Sequence, residues 1–235
     1  NNADPLRGDY AGTIEELDQI NRKIKLRKGK SKEENQLPKI LSVSEKVMEH
    51  SRYDNLNKNI YRYCQNILEN KNDYKALTSF LNKDIPSIQG IKPGEKIIKT
   101  ENFDKEIPDV ISRLNNSYLF IQGPCGTGKT HQAANAIVEL IKKKKKIAIT
   151  ANSHKVIHNL LERIEDIAGE KVDFKGLKMG NPENEDTFYS GKYIKTAKNE
   201  KYYIDGLNDN SVLLFAGTKF HLSSWYYQKK IDYLF

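Results

Sequence analysis

The chain has 235 residues, enough for one large α/β domain or for a helical region followed by a smaller domain. Lysine and arginine number 39 against 31 aspartate and glutamate residues, and the resulting charge of +8 favours a polyanionic partner. No stretch approaches the roughly 18 apolar residues of a membrane span, and the N-terminus has no apolar signal core. The two cysteines lack CxxC spacing, which argues against a disulfide framework or a zinc site. We therefore expect a soluble, cytoplasmic protein.

The first part of the chain, residues 13–82, is predicted to be helical because apolar side chains recur three and four positions apart. These positions are Ile14, Leu17, Ile20, Ile24, Ile60, Cys64, Ile67, Leu68, Leu77, Phe80 and Leu81. The polar run 27–36 predicts an exposed connection. The proline- and glycine-containing stretch 84–100, with the short run 96–99, predicts loops, a strand and a domain boundary. We therefore predict a mainly helical region over 1–100 and an α/β domain over 101–235.

From residue 105 onward, helical and strand patterns alternate, which predicts a parallel sheet with helices on both faces. Strands are predicted at 118–121, 147–150 and 212–216, and the chain ends on another apolar run, 233–235. One helix is predicted around 107–114. A second has an apolar face formed by Ala134, Ile137, Val138 and Ile141. A third has an apolar face formed by Ile157, Leu160, Leu161 and Ile164, and it ends at Gly169. The polar segment 181–210 has no clear period and predicts an inserted loop or a loosely ordered segment.

The run Gly123-Pro124-Cys125-Gly126-Thr127-Gly128-Lys129-Thr130 has the spacing of a P-loop, with an apolar run before it and an amphipathic helix after it. Its glycines permit backbone angles and close approaches that a Cβ would block, so that successive N–H groups can converge on a phosphate. The following helix adds the positive end of its dipole. We predict that all eight residues bind ATP, that Lys129 and Thr130 are the catalytic residues, and that the Thr130 hydroxyl binds Mg²⁺ while Lys129 contacts the β- and γ-phosphates.

A second group of polar residues follows the strand 147–150, where Asn152, Ser153 and His154 lead into a helix. These residues suit a helix cap, which is one interpretation of them. Together with the P-loop, however, the segment Ile147-Ala148-Ile149-Thr150-Ala151-Asn152-Ser153-His154-Lys155 resembles motif Ia of superfamily 1 helicases. The resemblance covers about 107–235 and is to the Upf-like and Dna-two-like branch, most closely to bacterial proteins that join a RecB-type nuclease to such a helicase.

This resemblance implies a RecA-like fold and an ATP-dependent helicase or translocase that acts on single-stranded nucleic acid, with DNA favoured over RNA. It implies that Ser153 and His154 contact the strand. Thr218, which follows the run Leu213-Leu214-Phe215-Ala216-Gly217, resembles a residue of the next nucleic-acid-contacting motif. The alternative for Thr218 is a residue that caps the following turn. In the family the loop usually reads GPPGTGKT, so Cys125 is a departure that leaves phosphate binding intact.

The resemblance also implies an acidic pair after a strand similar to 231–235, where the sequence stops, and a second RecA-like domain. We therefore expect a fragment that forms the N-terminal part of a helicase and that by itself binds ATP but hydrolyses it negligibly. Two alternatives remain at this point. The chain could belong to another P-loop ATPase of the AAA+ type, or it could be a nucleotide-responsive nucleic-acid-binding module.

Overall fold

The computed structural model describes residues 13–18, 23–27, 51–124, 126–197 and 199–235. The chain divides into two compact units, Asn1–Glu49 and His50–Phe235. The predicted connection at 27–36 lies outside the described residues except for Arg27, which ends a strand. The strand predicted at 96–99 does not form, and this run belongs to a loop.

The first unit contains an antiparallel pair of strands, β1 (Thr13–Asp18) and β2 (Lys23–Arg27), so the helix predicted there is wrong. A register shift between Ile14 and Glu16 places one extra residue in β1. As a result Ile14 and Leu17, three positions apart, stand opposite Leu26 and Ile24, which lie two positions apart on one face of β2. The bulge thus gives a strand the three-residue apolar spacing that is typical of a helix. The register also places Glu16 opposite Lys25 and Asp18 opposite Lys23.

The second unit begins with two helices, α1 (Ser51–Leu68) and α2 (Lys75–Asn82), which confirms the helical prediction for this stretch. The Asn59 side chain of α1 donates to the Ser223 carbonyl at 2.7 Å, so the helix is attached to a distant part of the chain. Several apolar side chains of the pair remain exposed, among them Leu68 and Phe80. Among the described residues, no helix is both long and apolar enough to cross a membrane.

The centre of this unit is a sheet of five parallel strands in the order β5-β4-β6-β3-β7. The strands are β3 (Ile147–Ile149), β4 (Lys175–Lys178), β5 (Ile194–Thr196), β6 (Val212–Ala216) and β7 (Tyr233–Leu234). Every residue of β3 and β6 is buried, as expected for parallel strands covered on both faces. The predicted α/β fold with a P-loop RecA-like sheet is confirmed.

Helices cover the two faces of the sheet. On one face lie α3 (Phe103–Ser112), α4 (Lys129–Lys142) and α5 (His154–Ala168). α4 packs against both α3 and α5, and the three helices share a core with Leu214 of β6. The other face has a second core, in which Phe215 of β6 packs with Tyr203 of α6 (Glu200–Asn208). Because neighbouring strand residues point to opposite faces, Leu214 and Phe215 belong to different cores.

Two predictions about the α/β part are wrong. No strand forms at 118–121; within the described residues, no backbone–backbone hydrogen bond joins this run to a neighbour, and Phe120 is 72% exposed. The apolar composition of this run suits a strand, but a strand also needs a hydrogen-bonded partner. The strand at the end of the sheet, β7, has only two residues and offers little backbone for such pairing. The predicted loop 181–210 instead contains β5 and α6, and α6 begins where the Asn199 side chain accepts a hydrogen bond from the Tyr202 N–H.

Candidate functional site

The P-loop lies immediately before α4 and is shaped by its glycines. Gly126 and Gly128 both have φ near +81°, a backbone conformation that favours glycine, and Gly128 is the N-cap residue of α4. A Cβ on Gly123 would lie 2.5 Å from the Thr127 Oγ1, so a larger residue here would force the Thr127 side chain to move. The loop therefore forms a tight cradle at a helix N-terminus, a geometry that suits a phosphate group.

Lys129, the first residue of α4, places its ammonium group within this loop. Its Nζ donates hydrogen bonds to the carbonyls of Gly123 and Pro124, both at 2.6 Å, and the Thr127 hydroxyl donates to the Pro124 carbonyl at 2.9 Å. Thr130 follows in the first turn of α4 with its side chain exposed. These groups fit a nucleoside triphosphate with Mg²⁺, since they comprise helix N–H donors, a positive charge and the exposed hydroxyl of Thr130. Cys125 lies outside the described residues.

The first turn of α4 is connected to both neighbouring helices through His131. Its Nε2 lies 3.2 Å from the Asp104 Oδ1 of α3, while its Nδ1 lies 3.1 Å from the Arg163 Nη2 of α5. An arginine can only donate, so Nδ1 accepts and Nε2 carries the proton that bonds to Asp104. Gln132 also donates to the Asp104 Oδ1, at 2.7 Å. Sequence spacing offered no indication of this connection, because its members come from three separate helices.

The other predicted site residues lie at the carboxyl ends of β3 and β6, which are neighbours in the sheet. Ser153 caps α5, where its Oγ accepts a hydrogen bond from the Val156 N–H at 3.4 Å. Thr218 is the N-cap residue of α7 (Lys219–Leu222), yet its hydroxyl lies 3.0 Å from the His221 Nδ1 and makes no side-chain cap bond. The two ends are tied together by the Gly217 N–H, which donates to the Ile149 carbonyl at 3.1 Å.

The structure brings His154 and Thr218 together in a group that we call the histidine–lysine cluster, formed by His154, His158, Lys178, Thr218 and His221. The ring of His154 lies 6.2 Å from that of His221 and 6.4 Å from that of His158, centre to centre. Lys178, the last residue of β4, is completely buried, and its Nζ lies 3.1 Å from the His154 Nδ1. The sequence analysis missed three members, although the spacing of His154 and His158 four residues apart already placed them on one helix face.

Burial and crowding of positive charge disfavour protonation within the cluster. Burial, followed by the charges of Lys178, His221 and His158, lowers the pKa of His154 to about 4. Burial and then Lys178 also lower the pKa of His158. Burial alone lowers the pKa of Lys178 to about 8, so the amine remains mostly protonated at neutral pH.

Mild acid is expected to destabilise the fold through His154 and His158. In the unfolded chain these histidines take up protons near pH 6.5, whereas in the folded protein their lowered pKa values keep them neutral. The unfolded state therefore binds more protons, and the free energy of unfolding falls as the pH falls from about 6.5 towards 5. Thermal unfolding followed by circular dichroism at pH 7 and at pH 5 measures this as a lower Tm at pH 5.

The variant His154→Gln should reduce this pH dependence because it removes one titrating ring. Asn159→Ala, an exposed change on the same helix, should leave the pH dependence unaltered. A Tm that stays constant between pH 7 and pH 5, or a His154→Gln protein with the full dependence, would contradict the assignment.

One comparison with known proteins bears on these sites. A family model described as AAA domain matches residues 70–204, more than half of the chain. The matched stretch contains the P-loop, the cap of α5 and Lys178, and it ends before Thr218. No curated protein matches the chain.

Proposed function

The chain belongs to the AAA domain family that occurs in Upf-like helicases of superfamily 1, and from this we propose that it is the ATP-binding part of an ATP-dependent helicase or translocase acting on single-stranded nucleic acid. The observation that supports this most directly is the enclosure of the Lys129 ammonium by P-loop carbonyls at the start of α4. α5 packs along α4 and carries His154 at its own N-terminus, so the two proposed sites are on neighbouring helices.

The nucleotide site would work through positioning and charge. The N–H groups at the start of α4 and the Lys129 ammonium would bind the β- and γ-phosphates, and the Thr130 hydroxyl would hold Mg²⁺. When bound, Mg²⁺ neutralises charge on the phosphate oxygens. Two of the three ammonium hydrogens of Lys129 now bond the carbonyls of Gly123 and Pro124, so the third remains as a donor for a phosphate oxygen.

The nucleic-acid site would lie at the carboxyl edge of the sheet, where open α/β sheets usually bind their ligands. Ser153, His154 and Thr218 are the proposed contacts with a single strand. The resemblance to bacterial RecB-type nuclease and helicase proteins favours DNA over RNA as the strand, and a cytoplasmic location is part of the same proposal. The positive charge of the chain suits a polyanion.

Binding of a single strand is expected to be weak and sensitive to salt, because the proposed contacts reach only a few phosphates. For about two phosphate contacts, affinity should fall roughly fivefold to tenfold between 50 and 200 mM salt. Fluorescence anisotropy with labelled oligo(dT) and oligo(U) measures both the affinity and the preference for DNA. His154→Ala should weaken binding at each salt concentration, whereas Asn159→Ala, one turn further along α5, should bind as the wild type does.

Affinity that does not change with salt, or that is equal in the wild type and in His154→Ala, would count against this nucleic-acid site. Turnover of ATP by the full-length protein then separates a motor from a binding module. Turnover that rises when single strand is added, and that Lys129→Ala abolishes, supports the motor. Binding of the strand without any turnover identifies the module instead.

A further inference from the structure

Lys178 is a charged residue in an unusual position, since its side chain is completely buried at the end of β4. Its ammonium donates to the carbonyl oxygens of Thr187 and Met179 and approaches the His154 Nδ1 at 3.1 Å. Among the described residues, no carboxylate forms an ion pair with it. A buried charge without a counter-ion costs stability, so the fold maintains Lys178 at an energetic disadvantage. The carbonyls offset part of this cost, but they do not explain why a lysine is present.

The contact with His154 has a defined chemical consequence. A protonated amine has three hydrogens and no acceptor, so it can only donate to the imidazole. The Nδ1 of His154 must therefore be the acceptor, and the single ring proton of the neutral imidazole must be on Nε2. Lys178 thus selects one of the two tautomers and leaves Nε2–H as the donor that the ring can offer to another molecule.

We propose that Lys178 is a positioning residue that holds His154 as the neutral Nε2–H tautomer, so that the ring donates a hydrogen bond to a phosphate or base of the bound strand. This inference rests on the proposed function, because it takes the assignment of His154 to the nucleic-acid site as given. Lys178 itself lies below the surface and acts through His154.

The charged and titratable groups that face His154 from the neighbouring elements keep its ring neutral, as this role requires. Lys178 faces it from β4, His158 from the next turn of α5 and His221 from α7, and all three disfavour a charge on its ring. The nearby carboxylate of Glu162 raises the pKa of His158 and is not among the groups acting on His154. The pKa of His154, lowered to about 4, keeps the ring neutral throughout the physiological range.

The tautomer can be observed directly by ¹⁵N NMR of the histidine rings. The chain has 5 histidines, and the signal that disappears in His154→Gln identifies the ring in question. In the wild type, the His154 spectrum should show a protonated Nε2, an accepting Nδ1 and no titration between pH 8 and pH 5. In Lys178→Met the midpoint should rise by about one pH unit or more, because a neighbouring positive charge has been removed. Lys178→Arg, which retains a charged donor, should restore the wild-type spectrum.

Strand binding gives the functional readout. Wild-type affinity for oligo(dT), at constant ionic strength, should show no histidine titration between pH 5.5 and pH 8. Lys178→Met should bind roughly threefold to tenfold more weakly at pH 8, as expected for the loss of one oriented hydrogen bond, and should recover affinity towards pH 5.5 as His154 gains a proton. Lys175→Met removes an exposed lysine from the same strand and should leave the pH profile flat.

The outcomes separate the two claims. If His154→Ala weakens binding while Lys178→Met has the wild-type profile, the positioning role is overturned and the nucleic-acid site stands. If neither variant affects binding, the nucleic-acid assignment of His154 fails, and the positioning role fails with it. A wild-type His154 that carries its proton on Nδ1, or that titrates near pH 6.5, overturns the inference even if no Lys178 variant folds.

Discussion

Replacing Lys129 with alanine is expected to lower the affinity for ATP with Mg²⁺ by roughly 30-fold to 150-fold. Hydrogen bonds to charged groups contribute about 1.5–3 kcal/mol each, and a total loss of about 2–3 kcal/mol corresponds to that change in affinity. In the structure the Lys129 ammonium lies against the carbonyls of Gly123 and Pro124, inside the loop whose shape the glycines determine. Isothermal titration calorimetry with a non-hydrolysable ATP analogue and Mg²⁺ measures the difference.

The matched control is Lys143→Ala, which removes an exposed lysine just beyond the other end of α4. It changes the net charge by the same amount but should leave nucleotide affinity within twofold of the wild type. Equal affinities for the wild type and Lys129→Ala would eliminate the P-loop as the nucleotide site. An equal loss in both variants would indicate that net charge alone governs binding.

A second large effect is expected at Glu165, where alanine should lower the free energy of unfolding by about 3 kcal/mol. The Glu165 carboxylate accepts hydrogen bonds from the backbone N–H groups of Lys192, Tyr193 and Ile194 at 2.8–3.0 Å. Alanine leaves these donors without their charged acceptor, and each buried donor that loses its partner costs about 1–3 kcal/mol. A Cβ on Gly191 would collide with the same carboxylate, so the turn leading into β5 is fitted closely around it.

Urea unfolding followed by circular dichroism measures this change as a lower midpoint with an unaltered slope. Glu162→Ala is the matched control, because Glu162 is an exposed residue one turn earlier on α5. Its removal should change stability by less than about 0.5 kcal/mol. Amide hydrogen exchange provides a local test, since exchange at Tyr193 and Ile194 should accelerate in Glu165→Ala before the rest of the sheet is affected. A midpoint equal to that of Glu162→Ala would contradict the role assigned to Glu165.

The sequence alone was sufficient for features that depend on local periodicity and on glycine. The apolar faces of α4 and α5 are buried where a period of 3.6 places them, as at Ile137 and Ile164. Gly126 and Gly128 adopt the positive φ values for which glycine is suited, and Gly169 follows the end of α5. Each of these features is set by residues close together in the chain.

Features that depend on distant partners were not predictable in this way. The bulge between Ile14 and Glu16 gives a strand pair the spacing of a helix. β5 begins at Ile194, where the Glu165 carboxylate of α5 accepts the N–H groups of Tyr193 and Ile194. A lysine at a strand end is ordinarily exposed, and Lys178 is buried because residues such as Thr187 fold over it. These outcomes depend on tertiary contacts that single-sequence patterns do not contain.

The placement of His131 has a consequence for how the two proposed sites influence each other. One imidazole ring joins the first turn of α4 to Asp104 on one side and to Arg163 on the other. A nucleotide that moved the first turn of α4 would therefore either carry α3 and α5 along or break one of these bonds. Where the bond to Arg163 holds and α5 moves with α4, part of the binding free energy of ATP would be transferred to the helix that carries His154. Reciprocity would then make a strand bound at His154 change the affinity for ATP by the same factor, with Arg163 as the residue that couples the two proposed sites.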